Sequence, residues 1–151
     1  MLLQIYFKVM AALQDGMMAL AHMAVEFHKR YYDLQVKGTG TDFDLVAGNQ
    51  KYGCHSIILA AASSRLRREM QTIKQRGGRP EMRLNFPEGM MQELIRYLYT
   101  GTCTVDMDYL SEYFRAARYL EVHSLHDNIC QQVESLGIPV IPEAAWDFGF
   151  R

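Results

Sequence analysis

The chain has 151 residues, 49% hydrophobic and 22% charged, with a formal net charge of −1. That is one domain, or one domain with an appendage, rather than two full domains, and it excludes a disordered or collagen-like chain and one that binds polyanions by bulk charge. Three cysteines argue against a disulfide scaffold and place the chain inside the cell, in the nucleus or the cytoplasm.

The opening MLLQIYFKVMAAL is strongly apolar, but Lys8 interrupts it and Asp15-Gly16 ends it well short of the ~20 residues of a membrane span. A signal peptide would carry its positive charge before the apolar run, so the segment reads as part of the folded protein. Residues 2–14 and 17–31 read as two helices punctuated by Asp15-Gly16. The second places Met17, Leu20, Ala24, Phe27 and Tyr31 at spacings of 3 and 4, which makes one continuous stripe. The first is apolar nearly all round and must be covered, by its own domain or by a partner. DLQVK (33–37) alternates as a short strand and GTGT (38–41) is a turn. FDLVAG (43–48) and KYGCH (51–55) then read as a hairpin whose turn includes Asn49-Gln50.

From Ser56 to Met70 the pattern is helical, and QRGGRP (75–80) is a loop because two glycines and a proline cannot sit inside a helix. MRL (82–84) is a brief strand, Pro87 opens a helix as a first-turn proline should, and Gly101 ends it. TCTV (102–105) reads as a strand, Asp106 or Asp108 as a helix cap, and two further helices run to about Leu120 and over roughly Ser124–Leu136. Residues 137–151, with two prolines and the aromatic WDFGF (146–150), form a tail.

Charge is uneven along the chain. Residues 1–62 balance, residues 63–83 carry a net +5, and the remainder carries −6. The basic stretch reads as a solvated helix and loop, and the Arg-Gly-Gly-Arg at 76–79 lacks the interleaved aromatics that stack on bases. No direct nucleic-acid binding and no membrane attachment follow from it.

Chemistry-bearing motifs are sparse. GTGTDF (38–43) begins like a dinucleotide fingerprint, but it lacks the third glycine and runs into a strand rather than a helix. His123, His126 and Cys130, at spacings of 3 and 4, would share a helix face, as metal ligands do. With no fourth ligand nearby they read as surface histidines and a buried cysteine. Cys54 and His55, as strand neighbours, point to opposite faces and cannot form a nucleophile–base dyad. No metal, cofactor or small-molecule substrate is expected. A small metal- or thiol-dependent enzyme is the lowest-ranked alternative.

Three segments in register carry a resemblance. DFDLVAGNQKYGCHSIILAAASSRL (42–66), LIRYLYTGTCTV (94–105) and YLSEYFRAARYLEVHSLHDNIC (109–130) resemble, in order and nearly in spacing, the BTB/POZ domain family. The resemblance covers about residues 42–135 and implies an α+β fold, a small short-stranded sheet covered by helical hairpins, here with extra N-terminal helices. It divides the chain into N-terminal helices at 1–32, a BTB/POZ core at 33–136 and a tail at 137–151. The function it implies is non-catalytic: homodimerisation and recruitment of partner proteins such as corepressors, as a transcriptional regulator or scaffold, with a cullin ubiquitin-ligase adaptor as the alternative.

Carried over residue by residue, Asp42 matches an Asp near the dimer interface in many members, and His55 matches the His that closes the hairpin. Where many members have Lys or Arg beside that pocket, this chain has Ser56. Where cullin-binding members have a hydrophobic-x-Glu motif, this chain has Ile73, Lys74 and Gln75, with no acid. The N-terminal helices supply the dimer candidates Leu2, Tyr6, Met17, Leu20, Ala24 and Phe27.

Overall fold

The computed structural model describes residues 1–73 and 77–139. The first 35-residue helix, α1 (Leu2–Val36), runs without a break through Asp15-Gly16. The expectation of two helices is corrected: a mid-helix glycine costs about 1 kcal/mol relative to alanine but does not stop a helix whose neighbours are good formers such as Leu13, Gln14, Met17 and Met18.

The strand expected at 33–37 is likewise helix, because tertiary contacts override its alternating pattern. Gln35 is buried; its amide donates to Gly53 O at 3.0 Å, and its Oε1 accepts from Gln92 Nε2 at 3.0 Å. The helix ends at Gly38, whose φ of +69° a side chain would strain. There the Thr39 N–H reaches Leu34 O at 2.9 Å and the Gly38 N–H reaches Gln35 O at 3.0 Å, a Schellman closure.

Strand β1 (Phe43–Ala47) pairs antiparallel with β2 (Gln50–Cys54) across a two-residue turn, Gly48-Asn49, and parallel with β3 (Glu81–Arg83). The sheet order is β2-β1-β3. The helix expected from Ser56 to Met70 is two helices, α2 (Ser56–Ala62) and α3 (Ser64–Ile73). Ser63 separates them in an extended conformation and is fully buried. Its hydroxyl accepts from the Leu66 N–H at 3.1 Å, capping α3, and donates to Leu120 O at 2.6 Å.

Pro87 precedes α4 (Glu88–Thr100), and Gly101, in the left-handed conformation, ends it. The strand expected at 102–105 does not form. Its backbone donors are taken by side chains instead: Thr104 N–H by Glu93 Oε2 at 2.9 Å and Val105 N–H by Gln132 Oε1 at 3.1 Å. A short 3₁₀ turn capped by Asp106 leads into α5 (Leu110–Tyr119), and α6 (His123–Ser135) follows. The core runs from the sheet (Phe43, Leu45) through α4 (Met91, Leu94, Ile95) to Leu120 and Ile129. WDFGF (146–150) lies outside the described residues.

Candidate protein-interaction surface

The chain meets its own core only at the last turns of α1. Every residue from Met1 to Arg30 is exposed, Tyr31 and Tyr32 are half-buried, and Gln35 is buried. The helix projects away from the domain rather than folding back over it. At 1.5 Å per residue the exposed stretch from Leu2 to Arg30 is about 43 Å long.

The junction is a relay of rings. Phe27 meets Tyr31 at 4.6 Å between centroids, Tyr31 meets His55 at 6.2 Å, His55 meets Tyr99 at 5.8 Å, and Tyr99 meets Tyr32 at 6.2 Å. Gln92 also donates to Tyr32 Oη at 3.0 Å. Aromatic pairs at these separations add to the area they bury, so α1 is held at its root while its remaining length is free of the domain.

Leu2, Tyr6, Met17, Leu20, Ala24 and Phe27 are all exposed, and on the continuous helix they share one face. Successive separations of 4, 11, 3, 4 and 3 residues keep them within an arc of about 80°. Their stripe continues through Val9 and Leu13 to Tyr31, the residue that docks on the core. The opposite face carries Lys8, Lys29 and Arg30 against Asp15, Glu26 and Asp33, a balanced set. Glu26 lies 3.7 Å from His22 and 3.5 Å from Arg30, as i,i+4 pairs do.

Asp42, His55 and Ser56 come together beside that root. The Asp42 carboxylate accepts from the Ser56 N–H at 2.7 Å and from the Ser56 hydroxyl at 2.6 Å. It thus takes an orphan backbone donor at the start of α2, and the Ser56 hydroxyl adds a second bond to the same carboxylate. The His55 ring bonds Tyr99 Oη through Nδ1 at 2.7 Å and Thr39 O through Nε2 at 2.8 Å.

His55 does not contact the Cys54 thiol, which donates to Tyr52 O at 3.4 Å. Burial pushes that thiol up to about 12, so it is not a nucleophile at neutral pH. In the other motif, His126 Nδ1 is 3.8 Å from Cys130 Sγ, and the His126 ring stands edge-on to Phe114. Cys130 is half-buried rather than buried. Among the described residues no group of three or more His, Cys, Asp or Glu side chains could hold a metal ion. His123 and His126 instead line a groove of about 290 Å³ between α5 and α6, floored by Phe114 and Ala117.

Much of the basic stretch is consumed within the molecule. Arg68 makes two bonds to the Glu121 carboxylate, at 2.8 and 2.5 Å, and Arg79 makes two to that of Asp44, at 3.0 and 2.9 Å. Sequence reasoning did not pair them, because neither acid lies within 30 residues of its partner. Ile73 packs against the core, while Lys74 and Gln75 lie outside the described residues. No described helix is long and apolar enough to cross a membrane.

The architecture is a small three-stranded sheet flanked by helix pairs, with the last turn of α1 on its outer strand. The sequence profile of the BTB/POZ domain matches residues 31–136, and the chain belongs to that family of protein–protein interaction modules. The match begins at Tyr31, where α1 meets the core. The fold is similar to the BTB domain of zebrafish PATZ1, at a TM-score of 0.65 and 20% identity over 77% of this chain and 94% of that one. It is also similar to the BTB domain of human Gigaxonin, at a TM-score of 0.60 and 20% identity over 72% of this chain and 89% of that one. No curated protein sequence matches the chain.

Proposed function

We propose that this BTB domain homodimerises through α1 and so brings together two copies of its bound partners, as a scaffold or transcriptional-regulator module without catalysis of its own. The observation that carries the reading is the exposed apolar stripe from Leu2 to Phe27, with Leu20 68% and Met17 71% exposed. An apolar patch of that length on a soluble chain marks an interaction site. A second α1 supplies the same stripe, which is what an isologous contact requires. The balanced polar face favours a protein over an anionic bilayer, because it adds no net attraction to negative headgroups.

Light scattering behind size exclusion, from about 1 to 100 μM, tests the reading. A mass at or above twice 17.4 kDa supports it, and a persistent 17.4 kDa monomer overturns it. Leu20→Arg should lower the mass of the assembly without unfolding the core, since Leu20 touches none of it; an unchanged mass would remove α1 from the interface.

A further inference from the structure

α1 carries a second apolar stripe, one residue out of step with the first. Leu3, Phe7, Met10, Met18 and Val25 are 46–70% exposed and lie beside the dimer candidates rather than among them. Their stripe ends at Tyr32 as the first ends at Tyr31, so both run from the root of the helix to its tip. Together the two span an apolar arc of about 180°, against roughly 100° for a helix packed on one neighbour. Two-stranded pairs use only the narrower seam, whereas helices in bundles carry the additional flanking positions.

The rest of the domain offers nothing to cover the second stripe. Outside α1, the exposed large hydrophobics among the described residues are Ile57, Met107, Leu136 and Ile138, scattered over α2, the 3₁₀ turn and the end of α6. The surface that matches α1 in length and character is another α1. Area points the same way: a projecting helix about 43 Å long and about 10 Å across presents roughly 430 Å² per stripe, so one stripe buries about 860 Å² in a pair. Stable association takes about 800 Å² of surface from each chain, which a chain reaches by burying both stripes and not by burying one. The spacing from Leu2 to Tyr31 averages close to 3.6 residues per turn, so the stripes run straight along the axis and need little supercoiling.

We propose that the α1 helices of four chains form a bundle, a dimer of dimers in which the Leu2–Phe27 stripe makes one twofold contact and the Leu3–Val25 stripe makes the other. The proposal rests on α1 being the self-association element and adds its stoichiometry. Gln14 and His28 fall on the second stripe, and polar residues at such positions fix the register and number of helices in a bundle.

The test is the mass of the full chain and of the pair Phe7→Glu/Val25→Glu at equal concentrations, by light scattering and native mass spectrometry. The expected results are about four times 17.4 kDa for the wild type and about twice for the pair. A Phe7→Gln/Val25→Gln pair, which adds no charge, should give the same halving. A wild-type dimer overturns the bundle but leaves the proposed dimer standing; a wild-type monomer overturns both. A tetramer that neither pair reduces would place the second contact elsewhere, and a fall straight to monomer would merge the two stripes into one interface. Either result overturns the proposal.

Discussion

Tyr99 Oη stands 2.7 Å from both the backbone nitrogen and Nδ1 of His55. The hydroxyl accepts the backbone N–H and has one proton to give, which goes to Nδ1. That assigns the His55 proton to Nε2, where it is donated to Thr39 O at 2.8 Å. Burial pushes the Tyr99 phenol up, so the hydroxyl keeps its proton throughout the neutral range. One tyrosine on α4 therefore holds the start of α2 and, through the imidazole, the turn that follows α1.

Tyr99→Phe keeps the ring and deletes both bonds. An unsatisfied buried polar group costs about 1–3 kcal/mol, so the variant's urea midpoint should fall by that equivalent with an unchanged slope. A midpoint equal to the wild type's would mean that water replaces the hydroxyl and that the assigned proton arrangement carries no stability.

Glu121 follows α5 at a φ of +56°, an uncommon value for a residue with a side chain. Its hydrogen bond to Arg68 holds the carboxyl below the usual carboxylate range. For a folded-state value that is depressed, the stabilisation is present above the unfolded-state value and is lost as pH falls through the folded one. Glu121→Gln should therefore lower the melting temperature at pH 7, and the gap should close as acidification protonates the carboxyl below the usual carboxylate range. A gap that stays constant with pH would show that the ion pair contributes nothing; surface pairs are often worth little.

At Gly16 a new Cβ would meet nothing within 4 Å. Gly16→Ala should stabilise α1 by about 0.5–1 kcal/mol, seen as stronger helical circular dichroism with the assembled mass unchanged. A drop in mass would instead show that Gly16 lies at a close helix crossing.

Where one local pattern decided the structure, the sequence was sufficient. The hairpin, with its turn one residue earlier than expected, the helix between Pro87 and Gly101, and the two helices after Asp106 each follow from turn residues, caps and spacing close at hand. The errors fall where a distant group intervened. Gln35 is helical because its amide donates to Gly53 O and accepts from Gln92, and Thr104 stays out of the sheet because Glu93 takes its N–H. Two signals were readable and passed over: Gly38 closes α1, and Ser63, followed three residues later by Leu66, caps a new helix. Reading Asp15-Gly16 as a break hid the feature that matters most for assembly. On two short helices the candidates from Leu2 to Phe27 had no common face; on one long helix they do. The pairing of Arg68 with Glu121 was beyond reach, since chain distance carries no trace of it.

The hydrogen bond from Gln35 to Gly53 O has a protective side. β2 is an outer strand, and Gly53 belongs to a pair whose backbone groups face away from β1, as shown by Asp44 N–H turning instead to Pro80 O. An open acceptor on an outer strand is a template for adding a foreign strand. By seating its last turn there, α1 fills the vacancy with its own amide. The helix proposed to gather copies of the chain along its exposed length thus guards, at its root, against their joining in the wrong way.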